Sequence, residues 1–390
     1  MYSIIFLLFF ISFLLFFLFK LLNINKNYTV CILITILILL FVSNLKVSID
    51  AALTGLNLVI KTILPTIFPF AVICNLLISY DGISLYSKLL GPLLCKPLKL
   101  SKNSSFPIVA SIISGYPLGC KYCCDLYELG YIERNEFERL LNIASNCSPM
   151  FIIGSIGVSM LHSIKLGFIL LIANYLSPLI IGIITIRKSN INRNQKNFKI
   201  EVKEVNMGTA LKTSIDNGIT TTLQVWAFVI LFSIIISIIK NNAYTSIIFN
   251  NLEAFLKVPK YSIYGFFLGS IEFTNGCKLI TETALSLSLR LSIISFICSF
   301  SGISVIAQIS SFTGKYNVSL KKYTFLKLIQ GFISFIITFI ITSLINLPIT
   351  TSNITTYSNY NNPNIILYII IMMFLLCTFI YCYKRKLHSS

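Results

Sequence analysis

The chain has 390 residues, 56% hydrophobic and only 11% charged, with a mean hydropathy of +0.84. An ordinary soluble domain carries about 25% charged residues, so a soluble globular fold is excluded, and aromatics at 13% exclude disorder. Lys and Arg number 31 against 13 Asp and Glu, a net charge of +18. The bases sit in short loops between apolar runs, which points to positive-inside topology and anionic lipid, with no nucleic-acid partner.

Residues 3–19 are apolar, with no basic region before them and no small-residue cleavage site after, and read as a retained first span over 3–20. A spanning helix needs about 20 mostly apolar residues. Further spans are expected at 29–47, 51–79, 139–162, 164–186, 211–239, 290–313, 324–347 and 364–382. Polar and small residues interrupt those at 139–162 and 290–313, whereas 164–186 and 324–347 read as clean apolar runs. The mixed segments 82–101 and 243–256 are too polar to span and read as interfacial helices, the second equally as a plain loop.

Arg187, Lys188, Arg193, Lys196, Lys199 and Lys203 mark a cytoplasmic loop. The uncharged stretch 350–364 suits the outer face, and the tail Lys384-Arg385-Lys386 the inner one. Nine spans, with the N-terminus outside and the C-terminus cytoplasmic, satisfy all three markers.

The chain also repeats itself. Gly119-Cys120-Lys121 with Asp125 four residues on recurs as Gly276-Cys277-Lys278 with Glu282. A long span and an interfacial segment precede each copy. A broken span, carrying Ser148-Pro149 or Ser301-Gly302, and a clean span follow it. By the loop markers the two units cross the membrane in opposite senses, a plan common in secondary transporters. The organisation is therefore two N-terminal spans over 1–48, a first repeat over 51–186 with a hairpin at 104–128, and a basic linker over 187–208. A second repeat follows over 209–347 with a hairpin at 260–286, and then an outer loop, last span and tail over 348–390.

Each hairpin has a Gly- or Pro-broken centre between arms of eight or nine residues, and such an arm spans about half of a ~30 Å apolar core. Both are expected to be re-entrant, with Gly115, Tyr116, Pro117, Gly119 and Gly276 shaping the tips. Backbone left unpaired there needs partners, and Ser114, Ser270, Thr274 and Asn275 can serve at the tips. Asn146, Ser148, Ser301 and Gln308 can serve in the broken spans.

Each tip leads into a half-helix whose N-terminus carries about half a positive charge, with Lys121 or Lys278 close behind it. Two such ends and two lysines make a cationic pocket suited to an anion. The same i, i+4 spacing also suits mutual neutralisation of Lys121 by Asp125 and of Lys278 by Glu282. Glu272 has no evident partner and is a candidate coupling site for a proton or sodium, or a counter-charge for Lys278. The run Glu133, Arg134, Glu136, Glu138 and Arg139 reads as a solvated helix start.

Cys120-x-x-Cys123-Cys124 has no second CxxC, and the only histidines are His162 and His388, so no metal or cofactor is expected. Walker A, HExxH and G-x-S-x-G motifs are absent, and no enzymatic activity is expected.

Ser114-Gly-Tyr-Pro-Leu-Gly-Cys-Lys121, Asp125-Leu-Tyr-Glu128, Arg139-Leu-Leu, Ser148-Pro149-Met-Phe-Ile-Ile-Gly154 and Gly269-Ser-Ile-Glu-Phe-Thr-Asn-Gly-Cys-Lys278 resemble the YlbJ family of sporulation integral membrane proteins, over roughly residues 50–347. The resemblance implies a gate, or nucleoside-recognition, membrane domain similar in plan to concentrative nucleoside transporters. It further implies a role in endospore formation, moving dipicolinic acid across the outer forespore membrane. Dipicolinate is a small aromatic dianion and suits a cationic pocket. A nucleoside or other small-solute carrier and a non-transporting sporulation scaffold are the alternative functions.

Overall fold

The computed structural model describes residues 26–186 and 206–344. The expected spans at 3–20 and 364–382, the basic loop 187–203, the outer stretch 350–364 and the basic tail lie outside the described residues. Among the described residues the protein is all-helical, with no strand.

Helix α1 (Lys26–Ser43) meets α2 (Leu45–Leu58) at a 96° bend at Asn44. The sequence places this boundary between 47 and 51, but Asn44 already diverts the backbone, and its Nδ2 donates to the Leu40 carbonyl at 3.0 Å. From Leu45 the chain stays helical to Ser79, through a π-type stretch Val59–Ile63 and α3 (Leu64–Ser79). Pro65 and Pro69 each lack an N–H and crowd the carbonyl four residues back, and the widened turn just before them relieves that crowding.

A second bend of 89° leads into α4 (Gly82–Leu89). The first helical pair follows, α5 (Ser105–Ser114) and α6 (Leu118–Glu128), and then α7 (Arg134–Ile143). Residues 144–148 leave the helix, and a π-type helix Met150–Met160 precedes α8 (Ile164–Ile184). The segment 139–162 is thus two short helices about a non-helical stretch.

In the second half α9 (Met207–Asn241) is unbroken over 35 residues. Residues 243–256, open between interfacial helix and loop, form α10 (Ala243–Phe255). The second pair is α11 (Ser262–Ile271) and α12 (Phe273–Thr281), followed by α13 (Leu287–Phe300), α14 (Gly302–Thr313) and α15 (Leu320–Leu344). Helix types therefore recur in one order across the halves.

Among the described residues four stretches are long and apolar enough to cross a membrane: Ile164–Ile184, Met207–Asn241, Leu287–Tyr316 and Leu320–Leu344. Each bent pair counted as one span brings the total to six. Small residues let these helices approach. A Cβ on Gly55 would lie 3.0 Å from Ser233 Oγ, and one on Gly218 2.8 Å from Val72, the close packing that replaces hydrophobic drive in lipid. α8, α13 and α15 pack together through buried hydroxyls and an amide, with Ser295 to Ser334 at 2.6 Å and Ser299 to Asn174 at 2.8 Å.

Candidate functional site

The first tip is built against the non-helical stretch 144–148. Gly115 ends α5 at φ +80°, and a Cβ there would lie 2.7 Å from the Ser148 nitrogen. Only glycine meets both demands. Tyr116 N–H donates to the Asn146 carbonyl at 2.7 Å, and a Cβ on Gly119 would run into the Ala144 carbonyl. Ser114 is half-buried and donates to Ala110 within its own helix.

Every buried backbone group needs a partner, and around 144–148 side chains supply several of them. Asn146 Nδ2 donates to the Ile143 carbonyl at 2.7 Å, and Ser148 Oγ accepts from Phe151 N–H at 3.3 Å. Tyr175 OH donates to the Cys147 carbonyl at 3.1 Å, and Lys327 Nζ to that of Ser145.

The second tip is made differently. α11 and α12 cross so closely that a Cβ on Gly276 would collide with the Gly269 backbone. Ser301 and Gly302 both take left-handed backbone, φ +71° and +75°, and break α13 from α14 beside this crossing. A Cβ on Gly302 would stand 3.1 Å from the carbonyl oxygens of Gly269 and Ile271.

Glu272 is not without a partner. Its carboxylate accepts from Thr274 N–H and Asn275 N–H at 2.9 Å each, and from Asn275 Nδ2 at 2.8 Å. It caps α12 and occupies the helix end that the sequence offers to an anion. Asn275 Oδ1 in turn accepts from Lys240 Nζ at 2.6 Å. Buried Glu253 caps α11 likewise, accepting from Tyr261, Ile263 and Tyr264 N–H at 2.8–3.0 Å. The end of α6, by contrast, has no side-chain cap.

The paired lysines part company. Lys121 is 13% exposed and bonds Asp125 at 2.6 Å and Asn75 Oδ1 at 3.2 Å. Lys278 and Glu282 are both exposed and form no ion pair with each other. An i, i+4 spacing permits pairing but supplies little drive when water competes for both charges.

The two halves join where Tyr116 meets Phe273 edge-on, ring centroids 5.2 Å apart, with Phe151 4.9 Å from Phe273 on the other side. α14, carrying the buried Gln308, packs against both α6 and α11. The breaks at 115–117, 144–148, 272 and 301–302 therefore converge on one interior region.

One group at this centre is not among the expected site residues. Lys327 lies in a run that reads as clean and apolar, yet its side chain is fully buried and donates to Gln330 Oε1 at 3.0 Å. Gln330 Nε2 donates to Asn146 Oδ1 at 3.2 Å, and Ser145 Oγ shares a 2.8 Å hydrogen bond with Tyr323 OH. The signal was legible: Lys327-x-x-Gln330 puts an ionisable and a polar side chain on one helix face within a span.

The mixed charge run is also more than a solvated helix start. Arg139 donates to the carbonyls of Leu98 and Gly182, and Glu136 accepts from Ser101 N–H and Ser104 Oγ. Glu138 bonds Lys322 at 2.7 Å, and that hydrogen bond holds its carboxyl below the ordinary 4.5. Glu128 is lowered in the same way by Lys315, 2.7 Å away.

No family model and no solved structure matches the chain. Over 334 residues it is 27% identical to the sporulation integral membrane protein YlbJ of Bacillus subtilis (strain 168), covering 80% of this chain and 82% of that protein. This likeness supports the YlbJ family. The YlbJ match and the long apolar helices together make the chain an integral membrane protein, and a membrane role fits both.

Proposed function

We propose that this YlbJ relative is a secondary transporter, not an enzyme, that carries dipicolinate across the outer forespore membrane during endospore formation. The observation that carries the reading is the convergence of four helix breaks, two from each half, about the Tyr116–Phe273 contact. Broken helices are tolerated at membrane depth where they line a substrate path. A scaffold has no use for them.

In this reading α5–α6 and α11–α12 are re-entrant hairpins of two inverted repeats, as in concentrative nucleoside transporters. Nine spans place the N-terminus outside and the C-terminus in the cytoplasm, with anionic lipid on the basic loops. The uncapped start of α6, together with Lys121, supplies positive potential at the first tip. Lys278, Thr274 and Asn275 meet the anion when the second pair moves. A proton or sodium gradient drives accumulation.

The test is uptake of labelled dipicolinate into liposomes holding the purified chain, beside a Lys121→Ala/Lys278→Ala double variant, with uridine as competitor. Saturable uptake that the double variant loses and uridine does not compete for supports the reading. Uptake of uridine in preference to dipicolinate replaces it with a nucleoside carrier. A folded, inserted protein that moves neither solute under either gradient refutes transport.

A further inference from the structure

Lys327 is the sole lysine or arginine among the buried described residues, and no described carboxylate lies within 4 Å of it. Glu253, the other buried charge, is satisfied by three backbone N–H groups. Lys327 has no such answer: its two recorded acceptors, the Ser145 carbonyl and Gln330 Oε1, are neutral dipoles. An ammonium at membrane depth costs about 2.5–3.5 kcal/mol even on lenient scales and ordinarily faces an opposite charge. Among the described residues no opposite charge faces it.

The surroundings carry hydrogen-bond donors. Gln330 Nε2 holds one long bond, 3.2 Å to Asn146 Oδ1, and Asn146 Nδ2 holds the Ile143 carbonyl at 2.7 Å and Ser111 Oγ at 3.4 Å. The Ser145 and Tyr323 hydroxyls are paired with each other. All of this borders the non-helical stretch 144–148.

We propose that Lys327, assisted by Asn146, Gln330 and Tyr323, is the carboxylate-binding site of the transported anion, and that the anion is the missing counter-charge. The proposal rests on the transporter reading above and names the residue that grips the substrate. Occupied, the ammonium faces a carboxylate oxygen of opposite charge in place of a neutral dipole.

The test is equilibrium binding of dipicolinate, and separately of the monocarboxylate picolinate, to the full chain in lipid nanodiscs. Two variants are compared with the wild type. Lys327→Gln removes the charge and is expected to weaken dipicolinate binding about thirtyfold or more, the loss typical of breaking a buried charge-assisted pair. Gln330→Glu places a carboxylate 3.0 Å from Nζ; it is expected to fold with an unchanged or raised Tm and to weaken binding to a similar degree, because the built-in anion takes the ligand's place. A merely structural Lys327 would tolerate Gln330→Glu without loss.

Wild-type affinity retained in folded Gln330→Glu overturns the site while leaving the transporter reading intact. Picolinate binding that both variants lose, with no dipicolinate binding in the wild type, upholds the site and overturns dipicolinate as substrate. Absence of any carboxylate binding to the wild type overturns the site.

Discussion

The Glu272 carboxylate accepts both the backbone N–H and the side-chain amide of Asn275, at 2.9 and 2.8 Å. The protein's own anion thus sits at the N-terminus of α12, where the helix dipole favours negative charge. The two halves are unequal in consequence, with both helix starts of the second pair capped by glutamates and α6 uncapped by any side chain.

Removing that cap has a cost. Glu272→Ala leaves the Thr274 and Asn275 N–H groups unpaired and is expected to destabilise the fold by about 1–2 kcal/mol. Thermal unfolding in detergent reads the loss. Glu272→Asp, which keeps an acceptor at the N-cap, is expected to recover most of it.

Glu253 is the more deeply placed of the two caps, only 2% exposed. Glu253→Ala strands three backbone donors and is expected to cost more than Glu272→Ala, about 3 kcal/mol or above. The comparison of the two Tm values decides it: equal losses would mean that burial of the α11 start does not matter.

Gly276→Ala drives a methyl into the Gly269 backbone, which cannot yield as a side-chain tip can. Overpacking of this kind costs about 1–3 kcal/mol. Gly154→Ala is the control, since a Cβ there meets nothing within 4 Å, and its effect is expected within about 0.5 kcal/mol. Unfolding of the two variants side by side separates close helix approach from helix propensity.

Glu138 and Glu128 both have carboxyls lowered by hydrogen bonds from lysines, Lys322 and Lys315. A folded-state value below the unfolded one contributes stability that is present above the ordinary value of 4.5 and is lost as pH falls through the lower folded value. Stability is therefore expected to drop on acidification below that point, and Glu138→Gln/Glu128→Gln to flatten the drop. Both pairs are partly exposed, so the change near pH 7 is small. A Tm-against-pH curve unaltered by the double substitution would remove these pairs from the acid response.

The sequence by itself determined a membrane-embedded, all-helical protein and several of the places where its helices break, though not the bend at Asn44. Both follow from local physics: long apolar runs cannot stay in water, and Gly115, Pro117, Ser148-Pro149 and Ser301-Gly302 interrupt a helix wherever it is packed. It also carried the family likeness, through motifs that sit at those breaks. Only the tertiary structure decided which charges matter. Lys278 and Glu282, one turn apart, face outward unpaired, while Glu272 folds back onto its own helix end. Lys327 looks like a stray base in an apolar run until α7 and the stretch 144–148 pack against its helix and enclose it with Ser145, Asn146 and Gln330. Hydrophobicity and backbone preference are written residue by residue. A side chain's electrostatic partner depends on which distant segments close around it, and that is settled when the two halves pack.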